Sequence, residues 1–190
     1  IELPNRNLGI VVGDVSGHGV SAALLMASVR GYLRARATLS GSAGEIITAV
    51  NRLVSMDTVE TGQFMTLFYL VVEPQNNRIS WVRAGHDPGF LYCPVTERFE
   101  ELAGAGMALG VDESLNYDDY NRKVKPGQIV LLTTDGIFEA HNSAGEMFGK
   151  ERFKEVVRNN AGLETEGIRK AVFEAVTDFR GDEPQEDDIT

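Results

Sequence analysis

Three groups of acidic residues could bind metal ions, because each lies beside an apolar stretch or a strand end. They are Asp14 in Gly-Asp-Val-Ser-Gly-His-Gly, Asp135 in Thr-Thr-Asp-Gly-Ile-Phe-Glu, and the neighbouring pair Asp187 and Asp188. Hard divalent cations such as Mg²⁺ and Mn²⁺ bind carboxylates, backbone carbonyls and water. Two such ions can activate water for an in-line displacement at phosphorus. Taken together, the three groups indicate metal-assisted phosphoryl chemistry.

Each group alone also has a simpler interpretation. Asp135 followed by glycine is a common turn sequence. The pair Asp187 and Asp188 is typical of a solvated acidic tail. The glycine-rich stretch around Asp14 can be a strand-to-helix turn whose free amides attract an anion. The metal hypothesis therefore depends on all three groups occurring in one chain.

Alternating and helical patterns predict an α+β fold for the elements that position these acids. The stretch 64–72 is apolar on both faces, which fits a sheet packed between a second sheet and helices. We therefore predict a layered α-β-β-α sandwich of two antiparallel sheets flanked by helices. The helix at 21–36 is apolar almost all round and is expected to be well buried. Strands are predicted at 8–12, 64–72, 78–84, 90–92, 98–102, 117–124 and 128–134, and helices at 21–36, 42–54, 150–160 and 164–179.

Composition excludes several classes of protein. The 190 residues carry 28 acids against 18 Lys and Arg, a net charge of -10 that would repel nucleic acid. No apolar run reaches the roughly 18 residues of a membrane helix. The single cysteine, Cys93, cannot form an internal disulfide, which favours a reducing, cytoplasmic location. Residues 1–190 are expected to form one domain, and a start without Met or a signal peptide predicts a piece of a longer multidomain chain.

Six stretches occur in the order found in a known family. The chain resembles the SpoIIE-like branch of the PPM-type, protein phosphatase 2C-like, metal-dependent serine/threonine phosphatases, which includes regulators of sigma-factor partner switching. The stretches are Gly9-Ile-Val-Val-Gly-Asp-Val-Ser-Gly-His-Gly-Val-Ser-Ala-Ala-Leu, Met65-Thr-Leu-Phe-Tyr, Ala84-Gly-His-Asp-Pro, Leu109-Gly-Val, Leu132-Thr-Thr-Asp-Gly-Ile-Phe-Glu and Asp187-Asp-Ile-Thr.

The resemblance implies the PPM fold and a site for two Mn²⁺ or Mg²⁺ ions. By analogy, the Asp14 carboxylate bridges both ions, the Val15 carbonyl binds one of them, and Asp135 and Asp187 bind the other. Asp188 is expected to support these ligands without touching a metal. The family also has one further strand before these residues, carrying an additional acid, and one after Asp-Asp-Ile-Thr.

Two further residues have open assignments. Glu139 lies four residues after Asp135 and either orients the attacking water, assists an additional metal, or is a solvated acid at the end of a strand. His18 either donates a proton to the leaving serine oxygen, as a histidine does in eukaryotic relatives, or has a structural role at the start of the first helix. The spacing of His18 from Asp14 differs from that in those relatives and favours the structural role.

The leading functional hypothesis is hydrolysis of phosphoserine or phosphothreonine by a metal-activated water. By resemblance, the substrate is a phosphorylated anti-sigma antagonist of the STAS type, and a sensor or receiver domain lies upstream in the full chain. The alternative is a catalytically weak or silent PPM module that binds a partner protein. A calcium-binding structural domain is a poor third, because no loop has an EF-hand pattern. The oligomeric state, a homodimer included, remains open.

Overall fold

The computed structural model describes residues 1–185 and 187–190. These residues pack as two compact units, the first made of Ile1–Gly89 and Leu102–Pro126 and the second of Phe90–Glu101 and Gly127–Thr190. The prediction of a single domain stays a prediction. In chain order the elements are β1 (Leu8–Val15), α1 (Val20–Ala37), α2 (Ala43–Thr58), β2 (Met65–Glu73), β3 (Arg78–Ala84), β4 (Gly89–Cys93), β5 (Arg98–Leu102), β6 (Tyr120–Lys123), β7 (Ile129–Leu131), α3 (Gly149–Asn160) and α4 (Thr165–Arg180).

The first unit contains a four-stranded sheet in the order β1-β2-β3-β6, with every neighbouring pair antiparallel. Odd-numbered residues of β2, such as Leu67 and Tyr69, belong to one buried cluster with residues of α1 and α2, such as Val29 and Ile47. Because side chains alternate along a strand, even-numbered residues of β2 face away from these helices. Helices therefore cover one face of the sheet, and the even-numbered residues of β2 lie on the other face.

β1 is longer than the predicted strand 8–12 and continues through Asp14 to Val15. The extra residues pair with β2, Asp14 lying opposite Thr66 and Val15 opposite Met65. The cross-strand partner therefore carries the strand past a glycine that local propensity would treat as its end.

The expectation that α1 is buried all round is wrong. Leu25, Val29 and Leu33 are buried at a spacing of four residues, whereas Leu24 is 64% exposed and Val20 is 78% exposed. A helix lying on one face of a sheet and beside one other helix covers only the stripe of side chains that faces them. No helix within the described residues is both long enough and apolar enough to cross a membrane.

α2 begins at the predicted capping box. The Ser42 hydroxyl accepts a hydrogen bond from the Glu45 amide, and the Ser42 amide donates to the Glu45 carboxylate at 2.8 Å. Asp119 adds a second cap, since its carboxylate accepts from the Ser42 hydroxyl at 2.6 Å and from the Gly44 amide at 2.9 Å. This use of Asp119 explains why the predicted strand 117–124 is shorter and begins at Tyr120.

The second unit contains a three-stranded sheet in the order β5-β4-β7, and α3 and α4 pack against its aromatic residues. Phe90, Phe138 and Phe153 lie edge-on or tilted to one another, with centroid distances of 5.4–6.3 Å. Such pairs stabilise a core beyond the area that they bury. The cluster fixes the turn after β7, because Phe138 lies three residues after Asp135.

Tyr117 gives the first unit a testable dependence on pH. Burial, together with the nearby charge of Asp112, raises the pKa of its hydroxyl to about 12, from 10.0 in an exposed tyrosine. The unfolded chain therefore loses this proton at a lower pH than the folded chain. The contribution of Tyr117 to the free energy of unfolding is fully present below pH 10 and falls between pH 10 and 12. Over this interval, we expect the free energy of unfolding measured in urea to fall by about 2–3 kcal/mol more for the wild type than for Tyr117→Phe. Equal losses in the two proteins would contradict this account.

Candidate metal-binding residues

Asp14 lies at the end of β1 on the sheet face opposite the helices. It is directly opposite Thr66 in the β1–β2 register and is half-buried. Opposite residues of an antiparallel pair have their side chains on the same face, with Cβ atoms about 4.5–5.5 Å apart. Asp14 and Thr66 therefore share one small area of this face.

The Val15 carbonyl is oriented for a ligand by the strand pairing. The Ser16 amide donates to the Phe64 carbonyl at 2.9 Å, so residues 16 and 64 are a hydrogen-bonded pair. Hydrogen-bonded and non-hydrogen-bonded pairs alternate along an antiparallel ladder, so the amide and carbonyl of Val15 point away from β2. β1 is an edge strand of its sheet. The carbonyl proposed as a ligand is thus directed away from the ladder.

Thr66 and His86 form a contact beside Asp14 that the sequence analysis did not identify. The Thr66 hydroxyl and His86 Nδ1 lie 2.9 Å apart, and His86 is only 5% exposed. Both residues lie within family-like stretches, Met65-Thr-Leu and Ala84-Gly-His. The family resemblance includes both stretches but does not predict a contact between Thr66 and His86.

Asp135 lies at the start of a single 3₁₀ turn that follows β7. Its backbone carbonyl accepts hydrogen bonds from the Phe138 amide at 2.7 Å and the Glu139 amide at 2.9 Å. Its side chain is exposed, and no hydrogen bond or ion pair joins its carboxylate to any of the described residues. The turn therefore holds the backbone, and within residues 1–185 and 187–190 both carboxylate oxygens are available.

The segment that contains Asp187 and Asp188 is held against the Asp135 turn. The Thr134 hydroxyl donates to the Asp188 carbonyl at 2.7 Å, and the Thr134 amide donates to the Thr190 carbonyl at 3.2 Å. A Cβ atom on Gly136 would lie 2.6 Å from that same Asp188 carbonyl. Only glycine allows this approach without a shift of backbone. The Asp135 turn and the segment of the terminal acids therefore contact each other within the second unit.

β7 ends at Leu131, although the sequence predicts a strand to residue 134. Thr133 and Thr134 are buried, and Thr134 bonds with Asp188 and Thr190 rather than with a ladder partner. The shorter strand thus results from contacts with residues more than fifty positions away in the sequence.

Glu139 and Asp187 line one cavity of about 40 Å³ in the second unit, together with Arg180. A volume of this size can hold a water molecule. Asp187 also accepts a hydrogen bond from the Asp188 amide at 2.7 Å. His18 lies in the first unit, exposed in the loop between β1 and α1.

The donor atoms fit a hard divalent cation, since they are carboxylate oxygens and one backbone carbonyl. Among residues 1–185 and 187–190, however, no three His, Cys, Asp or Glu side chains form a group that could hold an ion as it stands. Carboxylates repel one another when no cation lies between them. The ligand set proposed from the family resemblance therefore remains a proposal.

Comparison with known proteins assigns the chain to a family. The model of the family described as "Stage II sporulation protein E (SpoIIE)" matches residues 4–190. The chain belongs to the SpoIIE family. Two curated relatives from Bacillus subtilis (strain 168) are similar to this SpoIIE-family chain. Phosphoserine phosphatase RsbU is 26% identical over 140 residues, covering 74% of this chain, and phosphoserine phosphatase RsbP is 25% identical over 141 residues, covering 73%. The chain covers 42% of RsbU and 35% of RsbP.

Solved structures confirm the predicted fold class for this SpoIIE-family chain. The SiaA-PP2C domain of Pseudomonas aeruginosa matches with a TM-score of 0.82 at 21% identity, covering 96% of this chain and 77% of that one. The RsbU and RsbW domains of Rv1364c from Mycobacterium tuberculosis match with a TM-score of 0.80 at 25% identity, covering 96% and 50%. The fold is therefore α+β and of the PPM, protein phosphatase 2C-like type.

Proposed function

We propose that the chain is a metal-dependent protein serine/threonine phosphatase that hydrolyses phosphoserine or phosphothreonine. The observation that carries the proposal is the exposed Asp135 carboxylate, which has no partner among the described residues and adjoins the segment of Asp187 and Asp188. Membership of the SpoIIE family and the names of RsbU and RsbP, both phosphoserine phosphatases, support the same activity.

The proposed ligands are those that the family resemblance implies. At the end of β1, the Asp14 carboxylate and the Val15 carbonyl would hold Mn²⁺ or Mg²⁺. Asp135 and Asp187 would also serve as ligands, and the Asp188 carbonyl holds their segment in place by accepting a hydrogen bond from the Thr134 hydroxyl. When bound, such ions activate water near neutral pH and neutralise charge on the phosphoryl oxygens.

The remaining residues are proposed to position the water or the substrate, and none of them attacks the phosphorus atom. Because water is the nucleophile, no side chain needs to form a covalent phosphoenzyme. Glu139 shares a cavity with Asp187, which supports a role in orienting the attacking water or in assisting a further cation. His18 lies in an exposed loop, where it could reach the leaving serine oxygen or shape the start of α1.

The proposed substrate is a phosphorylated protein, specifically an anti-sigma antagonist of the STAS type. One of the similar structures contains RsbU and RsbW domains in a single protein, which supports a regulatory pathway of this kind. The family resemblance adds a sensor or receiver domain in the full chain. We place the reaction in the cytoplasm. The chain has a single cysteine and so no internal disulfide, which suits a reducing compartment.

Release of phosphate from a phosphoserine-containing STAS protein tests the proposal. We expect the full-length protein to release phosphate in the presence of Mn²⁺ and to stop when EDTA removes the metal. The same assay with an aryl phosphate separates the chemistry from recognition of the protein substrate. No turnover of either substrate at saturating Mn²⁺ would contradict the proposal and favour a partner-binding module.

A further inference from the structure

We propose that His86 is a positioning residue that fixes the orientation of the Asp14 carboxylate through the Thr66 hydroxyl. This inference rests on the proposed function, since it assigns Asp14 to cation binding. Neither His86 nor Thr66 belongs to the proposed ligand set. The proposal follows from three features of the first unit: the fixed position of the imidazole, its contact with Thr66, and the register of β1 and β2.

The His86 imidazole has little freedom to move. It is 5% exposed, and the Arg83 guanidinium donates from Nε to the His86 carbonyl and from Nη1 to the Gly104 carbonyl, the latter at 2.9 Å. The Gly85 amide donates to the Gly106 carbonyl at 2.9 Å. A Cβ atom on Gly85, which has φ of +73°, would lie 2.8 Å from the Ala108 amide nitrogen. The loop after β3 therefore holds His86 from both sides.

The imidazole in turn fixes Thr66. Its Nδ1 lies 2.9 Å from the Thr66 hydroxyl oxygen. The two tautomers of His86 reverse the direction of this hydrogen bond, but both select the rotamer of Thr66 that points its hydroxyl at the ring. Without that partner, a threonine hydroxyl can turn to bond with the backbone of its own strand.

The register of β1 and β2 places Thr66 beside Asp14. Asp14 lies directly opposite Thr66 in the register of β1 and β2, so the two side chains are neighbours on the same face of the sheet. The position of Thr66 therefore limits the space and the rotamers open to the Asp14 side chain. Loss of either member of the pair is expected to loosen the carboxylate that the proposal assigns to both cations.

Calorimetric titration of Mn²⁺ into the metal-free full-length protein tests this inference. His86→Ala and Thr66→Val should each weaken Mn²⁺ binding about 10-fold, the low end for residues that orient a ligand. The double variant should bind like either single variant, because both changes break the same link. His86→Asn, whose side-chain amide lies near the Nδ1 position, and Thr66→Ser should restore most of the affinity. With saturating Mn²⁺, kcat should fall in the two damaging variants while KM stays within about twofold.

Thr48→Val is the matched control. Thr48 lies on α2, and its hydroxyl accepts a hydrogen bond from the Tyr117 amide at 3.0 Å. It removes the same hydroxyl group and should leave Mn²⁺ affinity unchanged. Wild-type affinity in a folded His86→Ala or Thr66→Val protein, or additive losses in the double variant, would overturn the inference alone. Absence of Mn²⁺ binding by the wild type would overturn the proposed function and this inference with it.

Discussion

Asp135→Asn is expected to lower kcat/KM for an aryl phosphate by a factor of at least about 100, which corresponds to about 2.7 kcal/mol of transition-state stabilisation. The amide keeps the shape of the side chain but removes the negative charge that the proposal assigns to a cation. The backbone of the turn should persist, since its hydrogen bonds use the Asp135 carbonyl. Initial rates across a Mn²⁺ titration measure the effect.

Asp178→Asn is the control for that variant. Asp178 is an exposed carboxylate on α4, in the same unit as Asp135, and undergoes the same chemical change. It should keep wild-type rates at every Mn²⁺ concentration. If Asp135→Asn were as active as Asp178→Asn at saturating Mn²⁺, Asp135 would not be a ligand.

Gly136→Ala is expected to cause the second largest effect. The new methyl group would lie 2.6 Å from the Asp188 carbonyl oxygen, so the segment of Asp187 and Asp188 must move away from the Asp135 turn. We expect a loss of about 1–3 kcal/mol in the free energy of unfolding, as for other overpacked sites. Mn²⁺ affinity should fall at least about 10-fold, because the segment carries a proposed ligand.

Gly162→Ala separates this steric effect from a general intolerance of alanine. Gly162 lies after α3 in the same unit, and a Cβ atom there meets nothing within 4 Å. Urea unfolding and calorimetric Mn²⁺ titration of both variants make the comparison. Unchanged Mn²⁺ affinity in Gly136→Ala would show that the closeness of the two segments does not matter for metal binding.

Local patterns predicted much of this fold. The capping box of Ser42 and Glu45 places the start of α2 correctly, because both partners lie within one turn of the helix. The strand before Asp14 and the strand before Asp135 were predicted from short apolar runs. The sequence also placed Asp135 and Asp187 in one hypothesis, and the contacts of Thr134 and Gly136 bring these two segments together.

Other features depend on contacts that no local pattern records. The hydrogen bond between Thr66 and His86 joins residues twenty positions apart through a strand and a loop. The end of β7 depends on Thr190, which is fifty-six residues from Thr134. The exposure of Leu24 on α1 is also invisible in the sequence, because an apolar side chain on a helix indicates a core only when another element covers it.

A Mn²⁺ anomalous difference map from crystals of the protein grown with Mn²⁺ tests the central claim most directly. The account predicts two peaks, both within about 2.5 Å of an Asp14 carboxylate oxygen. One peak should also contact the Val15 carbonyl, and the other should contact Asp135 and Asp187. Peaks confined to other carboxylates, or no peak at saturating Mn²⁺, would contradict the claim that these residues form one metal site.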